Sequence, residues 1–525
     1  MPGLRDTTVD GRRIAVVGYV FYAAMIALYF FADLASRPIG ADEVLSLYQV
    51  SERSLSVFFG SFEAGVNALP YAYFVILWGI DQLLGLNPLT LRLPSAIFAL
   101  ASLILLHRFL AALFGNLRAL VACCAALLLS SEFALYSHDA RPYALYLLAA
   151  VLCLQCALAM LGTNLPTRRA LAANALAAFF LPGVHYVGIF YSIATAAAVL
   201  ASLRPRRGAS ALGVLASFGI GWTLFVVVQY SQIALFAANK GAIIPAWMAP
   251  PRPLAVYEAA LRAAALLPSP VPLILLVTVA IGLSARGAIH IASPVPEGRQ
   301  QLFFLLLVSV LWVAIPPIFL LLSAAGLHNL SLPRYFAPSL LAGAALSCLA
   351  MTALTPAIRG GPDDSGNLDM KLIGTASVFL VAVFLLYPIA VAIRDIHKAP
   401  HVVFRMDIER DYAFIADARL PRVTNNVHVF FEYNFYRGDR QSLYLLREVR
   451  PGAASMQRLD VRIPILNDIE MGRLERFLFV HQPGTVNSYP RFDIQAWAVA
   501  NRYAVDRVTN AGAITVFELR KRLED

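Results

Sequence analysis

An all-α polytopic membrane domain followed by a small soluble α/β domain is the fold class this sequence predicts, on three observations. The first is composition: 59% of the 525 residues are hydrophobic and only 14% charged, against roughly 25% charged in soluble domains. The second is pattern. Uninterrupted apolar runs approach or exceed the ~18–20 residues that cross a bilayer as a helix, and they lack the alternation of barrel strands. The third is a change near residue 394, after which the chain turns polar and aromatic. The expected domains are therefore 1–394 in the membrane and 395–525 in solution.

Each element follows from its local sequence. Arg5, Arg12 and Arg13 precede the apolar run Ile14–Leu34, which is too long for a signal-peptide core and has no clear cleavage site. It reads as a retained first span. The polar stretch Ala35–Leu69 contains a short apolar stripe, the mark of an amphipathic helix lying on the bilayer. Within it, the acid pair Asp42-Glu43 follows the turn signal Pro38-Ile39-Gly40. Pro70–Leu86 carries Gly79, Asp81 and Gln82 and is the weakest spanning candidate. Stronger runs follow at Leu91–Phe114, Leu117–Tyr136, Ala144–Leu161 and Ala170–Leu203. The last would be roughly 51 Å long as one helix, so Pro182-Gly183 is expected to break it into a hairpin with His185-Tyr186 near the tip. Ala209–Tyr230, a run ending near Ile291, Leu302–Leu327, Pro333–Ala357 and Leu372–Ile393 complete the series. In the soluble part, Val427–Phe431, Ser442–Leu446 and Ile514–Phe517 read as strands and Asp493–Asn501 as a helix.

Charge sets the orientation. The net charge of +10 lies largely in short arginine clusters between spans, as the positive-inside rule expects, and does not call for nucleic acid. Those clusters all fall inside if Pro70–Leu86 does not cross and Ala170–Leu203 crosses twice, which makes eleven spans. Asp42-Glu43, His138–Tyr143, His185-Tyr186, Lys240 and Pro333-Arg334-Tyr335 then share the external face, together with the C-terminal domain.

That convergence suggests chemistry. Ser137–Tyr143 carries three ionisable groups between apolar runs, and a charge at a membrane helix centre costs about 2.5–3.5 kcal/mol, so such groups normally face a cavity or a ligand. Cys123, Cys124, Cys153, Cys156 and Cys348 all lie in apolar runs and read as packing residues. No metal cluster and no cofactor are expected. Carboxylates and arginines at one membrane face suit glycosyl transfer from a lipid-linked phosphosugar. Asp42 or Glu43 would take the acceptor proton, while Arg141 and Arg334 would meet the phosphate, with Tyr143 or Tyr335 adding a hydroxyl donor. A flippase for a lipid-linked sugar is the alternative, with charges expected nearer the midplane. A non-catalytic assembly partner is a third.

The order Asp42-Glu43, Leu69-Pro70-Tyr71, Leu91-Arg92-Leu93-Pro94-Ser95, Tyr136–Leu145 and Leu332-Pro333-Arg334-Tyr335 resembles the GT-C membrane glycosyltransferases. The likeness is greatest to the bacterial protein O-mannosyltransferase and lipid A aminoarabinose transferase group, and it covers roughly residues 14–350. It implies a GT-C fold in the bacterial inner membrane, a polyprenyl-phosphate monosaccharide donor, an extracytoplasmic acceptor and an inverting mechanism. By position, Asp42 matches the family's base, Glu43 is the second acid, and Arg141 and Arg334 match the basic residues of the later external motifs. His138, Asp139 and His185 are candidate supporting residues. Many relatives carry His or Lys beside the proline where this chain has Ala68-Leu69, and Asp139 stands where Glu is frequent.

Overall fold

The structure, a computed structural model, describes residues 34, 41–51, 54–63, 69–128, 130–161, 166–203, 208–238, 296–324, 333–358, 415, 420–426, 429–430, 433, 443–447, 465–481, 492–511 and 514–522. Most of the first expected span, the run ending near Ile291, the span Leu372–Ile393, Lys240 and the clusters Arg5/Arg12/Arg13, Arg204/Arg206/Arg207 and Arg359/Lys371 lie outside the described residues.

Three short helices open the described chain: α1 (Ala41–Val50), α2 (Leu55–Glu63) and α3 (Ala72–Leu84). At 13 residues, α3 is only ~20 Å long, short of the ~30 Å hydrocarbon core. The long helix α4 (Pro88–Phe114) begins at a capping box: Asn87 accepts from the backbone of Thr90, and the Thr90 hydroxyl accepts from Asn87. It packs on α5 (Asn116–Cys123) and on α7 (Tyr143–Ala159).

The expected single span Leu117–Tyr136 is instead two pieces. Helix α5 runs on through a π turn at Cys124–Leu128, and a separate helix, α6 (Ser131–His138), follows. The physical reason is Ser130, whose extended backbone starts a new helix and whose side chain accepts from the Phe133 N–H at 3.3 Å. Helices α6 and α7 then meet at 111°, which turns His138–Pro142 into a corner.

The expected hairpin is present as α8 (Arg168–Val184) and α9 (Gly188–Ser202). Pro182 lies inside α8, and the break comes at His185–Val187. A Cβ at Gly188 would sit 2.5 Å from the Leu181 carbonyl oxygen, so the tight return requires glycine there. Helix α10 (Gly208–Val228) packs on α8, with Gly221 against Ala175 and Ala178, the small-residue contact common between membrane helices. Helices α11 (Tyr230–Ala238), α12 (Pro296–Ala324) and α13 (Pro338–Ile358) follow, with a 3₁₀ turn at Pro333–Phe336 leading into α13. Among the described residues three helices are long and apolar enough to cross a membrane, and the bent α6–α7 pair makes a fourth candidate.

The C-terminal part is a six-stranded sheet: β1 (Arg422–Thr424), β2 (Leu443–Arg447), β3 (Ile465–Asn467), β4 (Arg476–His481), β5 (Tyr503–Ala511) and β6 (Ile514–Lys521), in the order β3-β2-β1-β4-β6-β5. The first four are parallel, and β6 is antiparallel to both β4 and β5. The short helix α14 (Asp468–Met471) follows β3, and α15 (Ile494–Ala500), capped by Asp493, matches the expected helix. Within the expected strand Val427–Phe431, the described residues Val429 and Phe430 are helical: β1 ends at Thr424, and Asn426 accepts from both of their amides. Residues alternate across the sheet. Leu478, Val480, Ile514 and Val516 join a core continuous with the helices, whereas Phe477, Phe479, Phe517 and Leu519 pack with Met471, Ile494 and Tyr503.

Candidate active site

Asp42 and Glu43 occupy the first turn of α1, where carboxylates suit the helix dipole. Neighbours on a helix are ~100° apart around its axis, so the two acids face different surroundings. Glu43 is turned inward and 3% exposed. Its carboxylate accepts from the wholly buried Arg92 of α4 twice, Nε to Oε1 at 2.8 Å and Nη2 to Oε2 at 2.6 Å. Oε1 also accepts from the Ala140 amide at 3.0 Å, and Arg92 Nη1 donates to the Leu34 carbonyl at 3.0 Å. A carboxylate on α1, a guanidinium on α4 and the α6–α7 corner are thus tied at one point.

Asp42 is turned outward, with its side chain 41% exposed. Arg334 of the 3₁₀ turn donates from Nη1 to Asp42 Oδ2 at 2.9 Å. Arg141, at the α6–α7 corner, reaches the same residue from the other side. Its Nη1 lies 3.4 Å from the Asp42 carbonyl and 3.3 Å from Ser46 Oγ, and Ser46 in turn donates to the Asp42 carbonyl at 3.0 Å. Arg141 is buried, yet its Nε has no partner. Each guanidinium also faces a ring, Arg141 over Phe74 and Arg334 over Tyr143, both at 5.9 Å.

The other sequence candidates divide. Tyr143, Tyr335 and His185 join the arginines: the His185 ring is 6.1 Å from Tyr143, 5.1 Å from Tyr335 and stacked at 5.0 Å on Tyr146. Burial, reinforced by the charges of Arg334 and Arg141, pushes the His185 imidazole down to about 3, so it is neutral. Burial pushes the Tyr335 phenol up to about 12, so it keeps its proton as a donor. His138 instead turns back on its own helix, its Nδ1 2.8 Å from the Ala134 carbonyl and 2.9 Å from Ser137 Oγ. Asp139 is half-buried at the corner, and its carbonyl accepts from the Arg141 amide at 2.7 Å. Among the described residues no group of His, Cys, Asp and Glu is placed to hold a metal, and the five cysteines are unbridged.

Sequence reasoning missed the role of Arg92, although an arginine at the start of the apolar run Leu91–Phe114 is itself a signal that a buried acid must answer it. It also missed Gln229 and Gln232, buried at the junction of α10 and α11, where two glutamines close an otherwise apolar run.

No protein-family model matches the sequence, and no curated protein matches it by sequence. Its fold matches solved structures. The crystal structure of ArnT from Cupriavidus metallidurans in the apo state aligns with a TM-score of 0.57 at 14% identity, covering 96% of this chain and 98% of that one. The same protein bound to undecaprenyl phosphate aligns with a TM-score of 0.52, also at 14% identity, covering 95% and 97%. The likeness runs nearly the length of both chains, the C-terminal sheet included.

Proposed function

We propose that this protein is an inverting glycosyltransferase of the bacterial inner membrane. It moves a monosaccharide from a polyprenyl-phosphate donor to an acceptor on the extracytoplasmic side. The observation that carries the reading is the cluster of Asp42, Arg141 and Arg334, drawn from three distant stretches onto one half-open acid. The fold shared with a protein solved with undecaprenyl phosphate bound supports the choice of donor. The proposal includes about eleven spans, domains at 1–394 and 395–525, and the C-terminal domain outside the cytoplasm. Its support is the arginine parity of the sequence.

In this reading Asp42 is the general base, and Glu43 is a positioning residue that holds the α6–α7 corner through Ala140. Arg334 is paired with Asp42. The donor phosphate takes over Arg334 and meets the open Nε of Arg141, which releases the Asp42 carboxylate beside the acceptor. The acceptor hydroxyl then gives its proton to Asp42 as its oxygen bonds to the anomeric carbon from the face opposite the phosphate. The bond from that carbon to the phosphate oxygen breaks, and its electrons leave with the polyprenyl phosphate. The phosphate gains about one negative charge as it leaves, so the fixed guanidinium groups hold the transition state more tightly than the ground state. Tyr143 and Tyr335 line the phosphate side as protonated phenols.

Incubating the purified full-length protein with undecaprenyl-phosphate-linked sugars and measuring release of undecaprenyl phosphate tests the proposal. Acceptor-dependent release is expected. Lipid flipping in proteoliposomes with no release would replace the enzyme by the flippase.

A further inference from the structure

Beside the arginines, three buried polar side chains have hydrogen-bonding capacity that nothing fills. His185, 2% exposed, accepts the Val187 amide on Nδ1 at 3.3 Å, which leaves the proton on Nε2, and Nε2 has no partner. Gln232, 0% exposed, accepts the Tyr186 hydroxyl on Oε1 at 2.6 Å, and its Nε2 has no partner. Gln229, 2% exposed and three residues earlier, has no partner for Oε1. Leaving such a group unsatisfied costs its full desolvation, and buried polar atoms of folded proteins are nearly always satisfied.

A chain of contacts links the three to the phosphate-binding cluster. Arg334 covers the Tyr143 ring, Tyr143 neighbours His185, and Tyr186, next in the chain, holds Gln232. On the far side the Tyr71 hydroxyl donates to the Val228 carbonyl beside Gln229. Together the three offer two donors, His185 Nε2–H and the Gln232 amide N–H, and one acceptor, Gln229 Oε1. Hydroxyl groups both donate and accept, and so match all three, whereas an ammonium group donates only and would meet two like donors. Among the described residues, the acids nearest these side chains are occupied or remote: Asp42 and Asp139 act on Arg141, and Glu63 stands exposed beyond Tyr71.

We propose that His185, Gln229 and Gln232 form the subsite that holds the transferred sugar by its hydroxyls, and that this sugar carries no positive charge. The inference rests on the reading of Arg141 and Arg334 as ligands of the donor phosphate.

The test uses the full-length protein in detergent and measures binding of five lipids. These are undecaprenyl phosphate alone and undecaprenyl phosphate carrying glucose, mannose, galactose or 4-amino-4-deoxyarabinose. At least one neutral-sugar lipid is expected to bind tenfold or more tightly than the aminosugar lipid. Gln229→Met and Gln232→Met, close in volume, are each expected to weaken that lipid about tenfold and to leave undecaprenyl phosphate within twofold. Unchanged sugar-lipid affinity in both variants overturns the subsite, and so does tightest binding of the aminosugar lipid. Should either variant not fold, the ranking of the lipids on the wild-type protein still decides the charge of the sugar. The underlying reading fails separately: undecaprenyl phosphate affinity that is indifferent to Arg334→Ala removes the phosphate site, whatever the sugar arm returns.

Discussion

Two ion pairs stand one residue apart on α1 and have opposite characters. Glu43–Arg92 is sealed, with side chains 4% and 0% exposed, while Asp42–Arg334 is half open, with side chains 41% and 30% exposed. In the sealed pair two guanidinium N–H groups and a backbone amide converge on one carboxylate. In the open pair a single N–H···O bond joins the side chains. A buried pair ties its neighbours together but breaks at high cost, because the surviving partner is left as an unpaired buried charge. An exposed pair contributes little to stability, about 0–1 kcal/mol, and is free to exchange partners. In the proposed reading, the contrast gives architecture to Glu43 and turnover to Asp42.

The contrast is broken most directly at Asp42. Asp42→Asn should lower turnover about 10²–10⁴-fold, with donor binding retained and thermal stability changed by no more than about 1 kcal/mol. Near-normal turnover in Asp42→Asn together with a dead Asp139→Asn would move the base to the other acid. Glu43→Ala should do the reverse, destabilising the fold by about 3–5 kcal/mol, read as a lower unfolding temperature before any activity is measured. The double change Glu43→Met with Arg92→Met sharpens this: it removes both charges and should recover most of the lost stability. Activity should stay low, because Ala140 loses the acceptor that fixes the corner beside Arg141.

A smaller effect is expected at the open pair's other member. Arg334→Ala should weaken undecaprenyl phosphate binding about 10–100-fold, the value of a hydrogen bond to a charged group, and leave stability nearly unchanged. A large loss of stability there would mean that the pair is structural after all. The smallest effect concerns His185 and is pH-dependent. Its folded pKa of about 3 lies below the ~6.5 of an unfolded histidine, so the unfolded chain binds the extra proton between those values. Stability contributed by neutral His185 is therefore present above about pH 6.5 and is lost as pH falls towards 3, roughly 2 kcal/mol of it by pH 5. His185→Gln should flatten the fall in unfolding temperature between pH 7 and pH 5. An unchanged slope would mean that His185 is already solvated.

Much of this molecule is legible from its sequence because the responsible forces act locally. Apolar runs of bilayer length, a polar tail with strand and helix patterns, and arginine clusters between spans fix the class of fold. Arg141, Tyr143, His185, Arg334 and Tyr335 are each marked by a charge or ring beside an apolar run, and Asp42 by the acid pair that follows a turn signal. Local signals fall short where a helix starts at a capping residue, as at Ser130 and at Asn426.

What only the tertiary structure decides is partnership. Arg92 meets Glu43 across 49 residues, Arg141 meets Asp42 across 99, and Arg334 meets Asp42 across 292. Which acid of the adjacent pair faces which arginine depends on the rotational phase of α1 and on the packing of helices far apart in the chain. Gln229 and Gln232 are unremarkable in the sequence for the same reason. Only the junction of α10 and α11, closed against Tyr71 and Tyr186, takes their amides out of water and leaves two of their atoms unsatisfied. Burial and unmet hydrogen bonds are properties of the assembled chain, so the sequence supplies the candidate groups and the packing decides which of them are left to do chemistry.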